Sequence, residues 1–238
     1  MTALIGTAEE RTRLTRRVFA GAMGMLITIG RPRPTHADTT VEDWRGQRPG
    51  GRGIPSNWEA YRTPGGEPAY DFSIVDVDGR RALRIASRGD RSTIARPVQV
   101  DLGGTPALEW SWKVTRLPAQ ADVRRSATSD SAAQLLVVWP RPPQLLRSRI
   151  IAYAWDTTAP ADSIVPSRKA GTVTFVVVRS GTAGLGRWLP ERRNVLADYR
   201  RIYGEEPDPV RAVAVSIDTN DTQSPAEAYI GPIVFRRA

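Results

Sequence analysis

Trp110 and Trp112 stand two residues apart in one apolar run, Tyr153 and Trp155 repeat that spacing in another, and Trp139 closes a third. In an extended strand residues i and i+2 share a face, so each pair presents its rings together. If the strands that carry them are neighbours, the five rings share one surface. A row of flat rings binds sugars by stacking on the apolar CH faces of the pyranose. The inner faces of a β-sandwich also take large rings, and that is the expectation for Trp110. Trp112, Trp139 and Trp155 lie nearer strand ends, where rings meet solvent, and with Tyr153 they are the candidate ligand-binding aromatics.

The second set of candidates is built from short oxygen side chains. Asp218-Thr219-Asn220-Asp221-Thr222 follows an apolar run and offers the ligand type that a hard cation such as Ca²⁺ takes. Asp218, Asn220 and Asp221 are the candidate metal ligands, and structural Ca²⁺ is the one cofactor this sequence raises. The spacing departs from a helical calcium loop, with Gln223 rather than Gly at the sixth position and Tyr229 at the twelfth. An Asx-rich turn that hydrogen-bonds its own backbone accounts for the same residues. Asp122, Asp130 and Asp156 stand in other loops and can converge on this segment, Asp122 and Asp130 as ligand-binding groups. Two such acids across a bound saccharide would form a glycosidase acid–base pair, but sequence spacing does not give their separation. Arg193 and Asn194 complete the set; a guanidinium there either holds an acidic ligand bidentately or clamps a carboxylate of the sheet.

What the chain lacks narrows the chemistry. Arg11, Arg13, Arg16 and Arg17 precede a run of 13 mostly small or apolar residues, Val18 to Gly30, and a Pro-rich stretch ends in Thr35-His36-Ala37. This is the order of a signal peptide, and the apolar run falls short of the ~20 residues a membrane helix needs. Thr15-Arg16-Arg17-Val18-Phe19 fits the twin-arginine export motif. The expected organisation is a signal over residues 1–37 cleaved after Ala37, a loop-rich lead-in over 38–57, and a single β-sandwich domain over 58–238. An uncleaved anchor is the alternative. The product is expected to be periplasmic or secreted, with the twin-arginine export machinery as a partner.

The leader holds all three Met and the single His, and its six Arg against two Glu give it +4, which leaves +5 of the chain's +9 for the rest. With no Cys anywhere, the remainder has no Ser–His–Asp triad, no thiolate nucleophile, no His general base and no Cys or His metal ligand. Binding is therefore expected over catalysis. Of the 34 basic residues 32 are Arg, scattered rather than clustered, which reads as a solvated surface and not as a nucleic-acid footprint.

Stepping along the chain, short apolar runs recur at Phe72–Val77, Ala82–Ala86, Ile94–Leu102, Ala107–Val114, Gln134–Trp139, Ile150–Trp155, Thr172–Val178, Val210–Ile217 and Ala228–Phe235. Each has strand length, β-branched or aromatic content and flanking turn residues such as Asp78-Gly79 or Gly103-Gly104. Runs of this kind without intervening helices predict an antiparallel sandwich or jelly roll. One segment differs. Leu189-Pro190-Glu191 opens a stretch in which Val195, Tyr199 and Ile202 fall at i, i+4 and i+7 and Gly204 suits the exit, so a packed α-helix is expected near 190–203.

From Val41 onward the order of motifs resembles a bacterial exported family, domain of unknown function 3047. The resemblance is carried by Val41-Glu42-Asp43-Trp44, Trp58, Leu108-Glu109-Trp110-Ser111-Trp112-Lys113-Val114, Leu117-Pro118 and Tyr153-Ala154-Trp155. In the C-terminal third it rests on Val178-Arg179-Ser180-Gly181, Trp188, Glu191-Arg192-Arg193-Asn194-Val195, Asp198-Tyr199, Asp218-Thr219-Asn220-Asp221-Thr222 and Ala228-Tyr229-Ile230-Gly231-Pro232-Ile233. The chain departs from the family ahead of its middle strand, where similar proteins carry paired acids and an Arg and this chain has Ser129-Asp130 and Gln134. The resemblance implies an all-β, antiparallel jelly-roll sandwich like that of carbohydrate-binding modules, in which an N-terminal acidic strand and a C-terminal strand lie together, often beside a structural calcium. The expected function is non-catalytic binding of a glycan or other cell-envelope ligand, with no nucleic acid and no membrane span after cleavage. A carboxylate-dependent hydrolase or lyase acting on envelope polysaccharide is one alternative, and a structural partner in an envelope complex is another.

Overall fold

The structure, a computed structural model, describes residues 37–61 and 68–237, so the expected leader lies outside the described residues except for Ala37. The strands are β1 (Thr39–Glu42), β2 (Glu59–Ala60), β3 (Asp71–Val77), β4 (Arg80–Arg88), β5 (Arg91–Val100), β6 (Ala107–Arg116), β7 (Ser131–Trp139), β8 (Arg149–Asp156), β9 (Ile164–Pro166), β10 (Val173–Ser180), β11 (Leu189–Asn194), β12 (Val210–Asp218) and β13 (Pro225–Arg236). A 3-10 turn over Ser126–Thr128, a single α-helical turn, α1 (Gln144–Arg147), and one helix of nine residues, α2 (Val195–Tyr203), join them. They form two sheets. Sheet A runs β11-β6-β13-β4-β3 with β1 also on β13, and sheet B runs β2-β5-β12-β7-β8-β10-β9. Every ladder is antiparallel except β8 with β10, because the chain leaves β8, forms the edge strand β9 and only then turns back into β10.

The period-2 pattern of the sequence explains the two layers. In sheet A, Leu83, Ile85, Leu108, Trp110, Trp112, Ala228, Ile230 and Phe235 point inward; in sheet B, Ile94, Leu135, Val137, Ile151, Tyr153, Trp155, Val213, Val215 and Ile217 meet them in one core. The strands β7 and β8 read as nearly unbroken apolar runs because their alternate residues are also of low exposure, forming a second apolar cluster on the other side of sheet B.

Two expectations about local structure need correction. Residues 189–194 are a strand, not the first turns of the helix: β11 pairs with β6 from Leu189 opposite Trp112 to Asn194 opposite Ala107. Pro190 sits on this sheet edge, where a missing N–H costs no ladder bond. The helix begins at Val195, with Asn194 as its N-cap accepting from Ala197 N at 2.9 Å, and ends at Gly204 in the left-handed conformation (φ 70°). The lead-in over 38–57 is also more than loop. It contributes β1, and Trp44 is buried, stacked on Trp58 at 5.5 Å, with its Nε1 donating to Gly231 O at 2.8 Å.

Candidate functional site

The same-face reading of the aromatic pairs holds, but their strands are not sheet neighbours. β6 lies in sheet A and β8 in sheet B, and the rings meet across the interior: Trp110 with Tyr153 at 5.5 Å and Trp112 with Trp155 at 5.9 Å between centroids. Trp112, Trp139, Tyr153 and Trp155 are all buried. Their polar ends are satisfied inside the fold. Trp112 Nε1 donates to Glu191 Oε1 (2.9 Å), Trp139 Nε1 to Asp208 O (2.9 Å), Trp155 Nε1 to Gly181 O (3.0 Å) and the Tyr153 hydroxyl to Asp198 Oδ2 (2.9 Å). The expected solvent-facing platform of these four rings is therefore corrected to a core. Rings of this size gain more from burial between two sheets than from a strand end in water.

Arg193 and Asn194 are likewise structural here. Arg193 donates through Nε (3.1 Å) and Nη2 (2.8 Å) to Asp198, so its carboxylate partner lies on the helix and not on the sheet. Asn194 caps that helix.

The acids act as backbone clamps. Asp122 accepts Arg124 Nε and Nη2, each at 2.8 Å, and this bidentate partner holds its carboxyl below the usual range. Asp130, fully buried, accepts the amides of Asp221 (3.1 Å) and Thr222 (2.7 Å) and so ties the 218–222 turn to the start of β7. Asp156 accepts Val123 N, Thr158 N and Ala159 N at 2.9, 2.7 and 2.6 Å, and burial raises its pKa. Asp221 accepts Ser129 N at 2.9 Å and pairs with Lys169, while Asp218 lies 3.8 Å from Arg91 Nη1. Burial, with Asp130 and Asp221 near it, pushes Asp218 up to about 7.

These residues do not fit a Ca²⁺ cage. Cationic side chains already stand against Asp218 and Asp221, and no group of three or more His, Cys, Asp or Glu among the described residues is arranged to hold a metal ion. The expected ligand set Asp218, Asn220 and Asp221 is corrected to a turn held by its backbone and its acids, in which Asn220 Oδ1 is buried without a partner among the described residues.

A different feature stands out on the outer side of sheet B. The registers align three rows across five strands. The first is Thr93, Ser216, Gln134, Ala154 and Val177; the second Ala95, Ala214, Leu136, Ala152 and Phe175; the third Pro97, Ala212, Val138, Ile150 and Val173. Alanines make much of the floor, and Tyr61, whose N donates to Thr93 O at 2.9 Å, packs at its β5 side. Thr93 Oγ1 and Ser216 Oγ are 2.6 Å apart. Gln134, next in that row, is only 5% exposed as a residue, but its carboxamide atoms keep access to solvent. In the sequence Gln134 is a lone carboxamide among the apolar residues of Ala132 to Trp139.

The family described as Protein of unknown function (DUF3047) matches residues 56–234 of the 238. No curated protein matches the sequence. Among solved structures, the chain is similar to the family 11 carbohydrate-binding module of cellulosomal cellulase Lic26A-Cel5E of Clostridium thermocellum, with 9% identity, 85% of this chain and 95% of that one covered, and a TM-score of 0.47. It is similar to the family 30 module of cellulosomal cellulase Cel9D-Cel44B of the same organism at 10% identity, 84% and 98% coverage and a TM-score of 0.44. The xyloglucanase domain of NopAA, a type three effector from Sinorhizobium fredii, aligns at 11% identity, 80% and 99% coverage and a TM-score of 0.42. The chain belongs to the DUF3047 family.

Proposed function

We propose that this protein is an exported, non-catalytic module that binds a glycan along the outer face of sheet B. Gln134 carries the reading. Its carboxamide keeps access to solvent, so its N–H donors and its oxygen are available to a ligand's hydroxyls. Sugar hydroxyls donate and accept from the same atom, and so does the Thr93–Ser216 hydroxyl pair one strand over, so the first row suits a polyhydroxylated chain. The second row beside it is apolar and buried, with Tyr61 and Phe175 toward its two sides.

Binding is favoured over hydrolysis because Asp122, Asp130, Asp156 and Asp221 are each committed to amides or cations of the fold. Export rests on the Arg16-Arg17 motif and the apolar run after it. No helix among the described residues is long and apolar enough to cross a membrane. A second reading, a docking face for an envelope protein, is favoured by the third row alone, which is wholly apolar from Ala212 to Val173.

Native electrophoresis through gels cast with soluble polysaccharides tests the proposal. Retardation on at least one glycan is expected, weakened about tenfold by Gln134→Ala and also weakened by Thr93→Val, with circular dichroism confirming that both variants fold. Unretarded migration on every glycan, or retardation indifferent to both substitutions, overturns it.

A further inference from the structure

Where β7 turns into β8 and the chain enters β10, a cleft of about 300 Å³ opens; its lining includes Arg141, Arg147, Arg149, Ser148, Thr172 and Tyr203, and no carboxylate among the described residues. That is the lower end of the size range for small-molecule sites. Two of its guanidiniums are held from behind. Arg141 Nη2 donates to the Tyr199 hydroxyl (3.2 Å), Glu205 Oε1 (3.1 Å) and Asp208 Oδ2 (3.1 Å). Arg149 pairs with Glu205 through Nη1, donates to the Tyr199 hydroxyl at 3.1 Å, and lies 4.5 Å over the Tyr203 ring. Both forks are thus fixed through a single terminal nitrogen, and their other N–H groups meet no acceptor among the described residues.

Arg147 is different. It is exposed at the end of α1, has no carboxylate partner among the described residues, and donates only a long bond, 3.4 Å, to Pro142 O. Glu205 and Asp208 offset the charges of Arg141 and Arg149, and no acid among the described residues offsets the third. Like charges gathered in one small cavity repel each other and raise the local concentration of anions. The fork geometry of guanidinium matches the two oxygens of a carboxylate or phosphate.

We propose that this cleft is an oxyanion site, separate from the outer face of sheet B and independent of the glycan reading. It takes a sugar-sized molecule bearing a carboxylate or phosphate. Arg147 supplies the uncompensated charge and the free N–H groups of Arg141 and Arg149 supply a preset wall. The hydroxyls of Thr172 and Ser148 are available to the uncharged part of the ligand.

Isothermal titration of the full-length chain at low salt tests this with galacturonic acid, its methyl ester and inorganic phosphate. Saturable binding of galacturonate or phosphate is expected, with none for the ester, and the affinity should fall as salt is added. Arg147→Ala should weaken it at least about tenfold and Arg147→Lys less. Melting of both variants should match the parent, since Arg147 is exposed. Tighter binding of galacturonate identifies a sugar acid as the source of the oxyanion, and tighter binding of phosphate a phosphorylated ligand. Absence of binding by both anions, or binding unchanged in Arg147→Ala, overturns the proposal.

Discussion

The hydroxyl of Tyr153, on β8, donates to Asp198 Oδ2, on α2, at 2.9 Å, and Arg193 of β11 grips the same carboxylate through Nε and Nη2. One carboxylate thereby joins a strand of sheet B, the edge strand of sheet A and the only helix longer than a turn among the described residues. Burial holds the Tyr153 phenol well above its ordinary pKa, so it serves as a donor at any working pH. Tyr153→Phe removes one hydrogen bond to a charged group and leaves Asp198 satisfied by Arg193, a loss of about 1.5–3 kcal/mol. Asp198→Ala leaves a buried hydroxyl and a largely buried guanidinium unpaired together, about 3–5 kcal/mol. Urea midpoints of the two variants should separate in that order, and equal losses would mean the carboxylate is not the hub.

Trp112 and Trp155 give a second test, of core against platform. Both are buried with their indole N–H groups bonded inside the protein. Truncating either to Ala opens a cavity between the sheets and should cost about 3–5 kcal/mol, with a matching fall in Tm. Ligand affinity per folded molecule should stay at the parent value in whichever variant remains folded. A variant that melts like the parent but loses binding would restore the exposed-ring reading.

The sequence made the two-layer fold legible because burial on one face of a strand imposes period 2, and each apolar run from Phe72–Val77 to Ala228–Phe235 falls on a strand, Ile94–Leu102 and Thr172–Val178 overrunning theirs by two residues and one. It misassigned residues 190–194 because Pro190 and the i, i+4, i+7 series are equally compatible with a helix start and with an edge strand feeding one; only pairing with β6 decides between them. The site was less legible. That Trp112 and Trp155 share a neighbourhood was readable from spacing, but whether they meet side by side or across the core depends on which sheet each strand joins, a long-range property that no local pattern carries. A lone amide such as Gln134 in an apolar strand does not mark a binding group until the polar residues that register beside it, Ser216 and Thr93, are known.

Glu42 governs the N-terminal segment. Its carboxylate accepts Asp43 N (3.0 Å), Trp44 N (2.9 Å), Gln47 Nε2 (3.2 Å) and Trp58 Nε1 (3.1 Å) and pairs with Arg96 of β5. It is buried, so removing it strands several donors and one guanidinium at once. Glu42→Ala should lower stability by about 3–5 kcal/mol. The loss should be regional: amide exchange should accelerate over residues 39–61 before the rest, and Trp emission should shift to the red as Trp44 and Trp58 meet water. Uniform acceleration across both sheets would show that this segment does not open separately.

Asp218 makes stability depend on pH in a stated direction. Burial is the main reason its carboxyl is pushed up to about 7 from an ordinary 3.8; Asp130 and Asp221 add to it, and Arg91 opposes it. The folded chain therefore holds this proton more tightly than the unfolded chain does. The associated stability is fully present below pH 4 and is lost as pH rises through 7. The loss is on the order of a few kcal/mol, at about 1.4 kcal/mol for each pH unit between the two values. Asp156, also raised by burial, contributes with the same sign. Asp218→Asn keeps the acceptor for Asn220 N and discards the titration, so its stability relative to the parent should climb between pH 4.5 and pH 8. Thermal melts at pH 4.5, 6 and 8 measure this. The parent should lose Tm across the series more steeply than the variant, which retains only the slope from Asp156 and the other acids. Parallel curves for the two proteins would show that Asp218 is ionised in the fold across the whole range and that Arg91 compensates its burial.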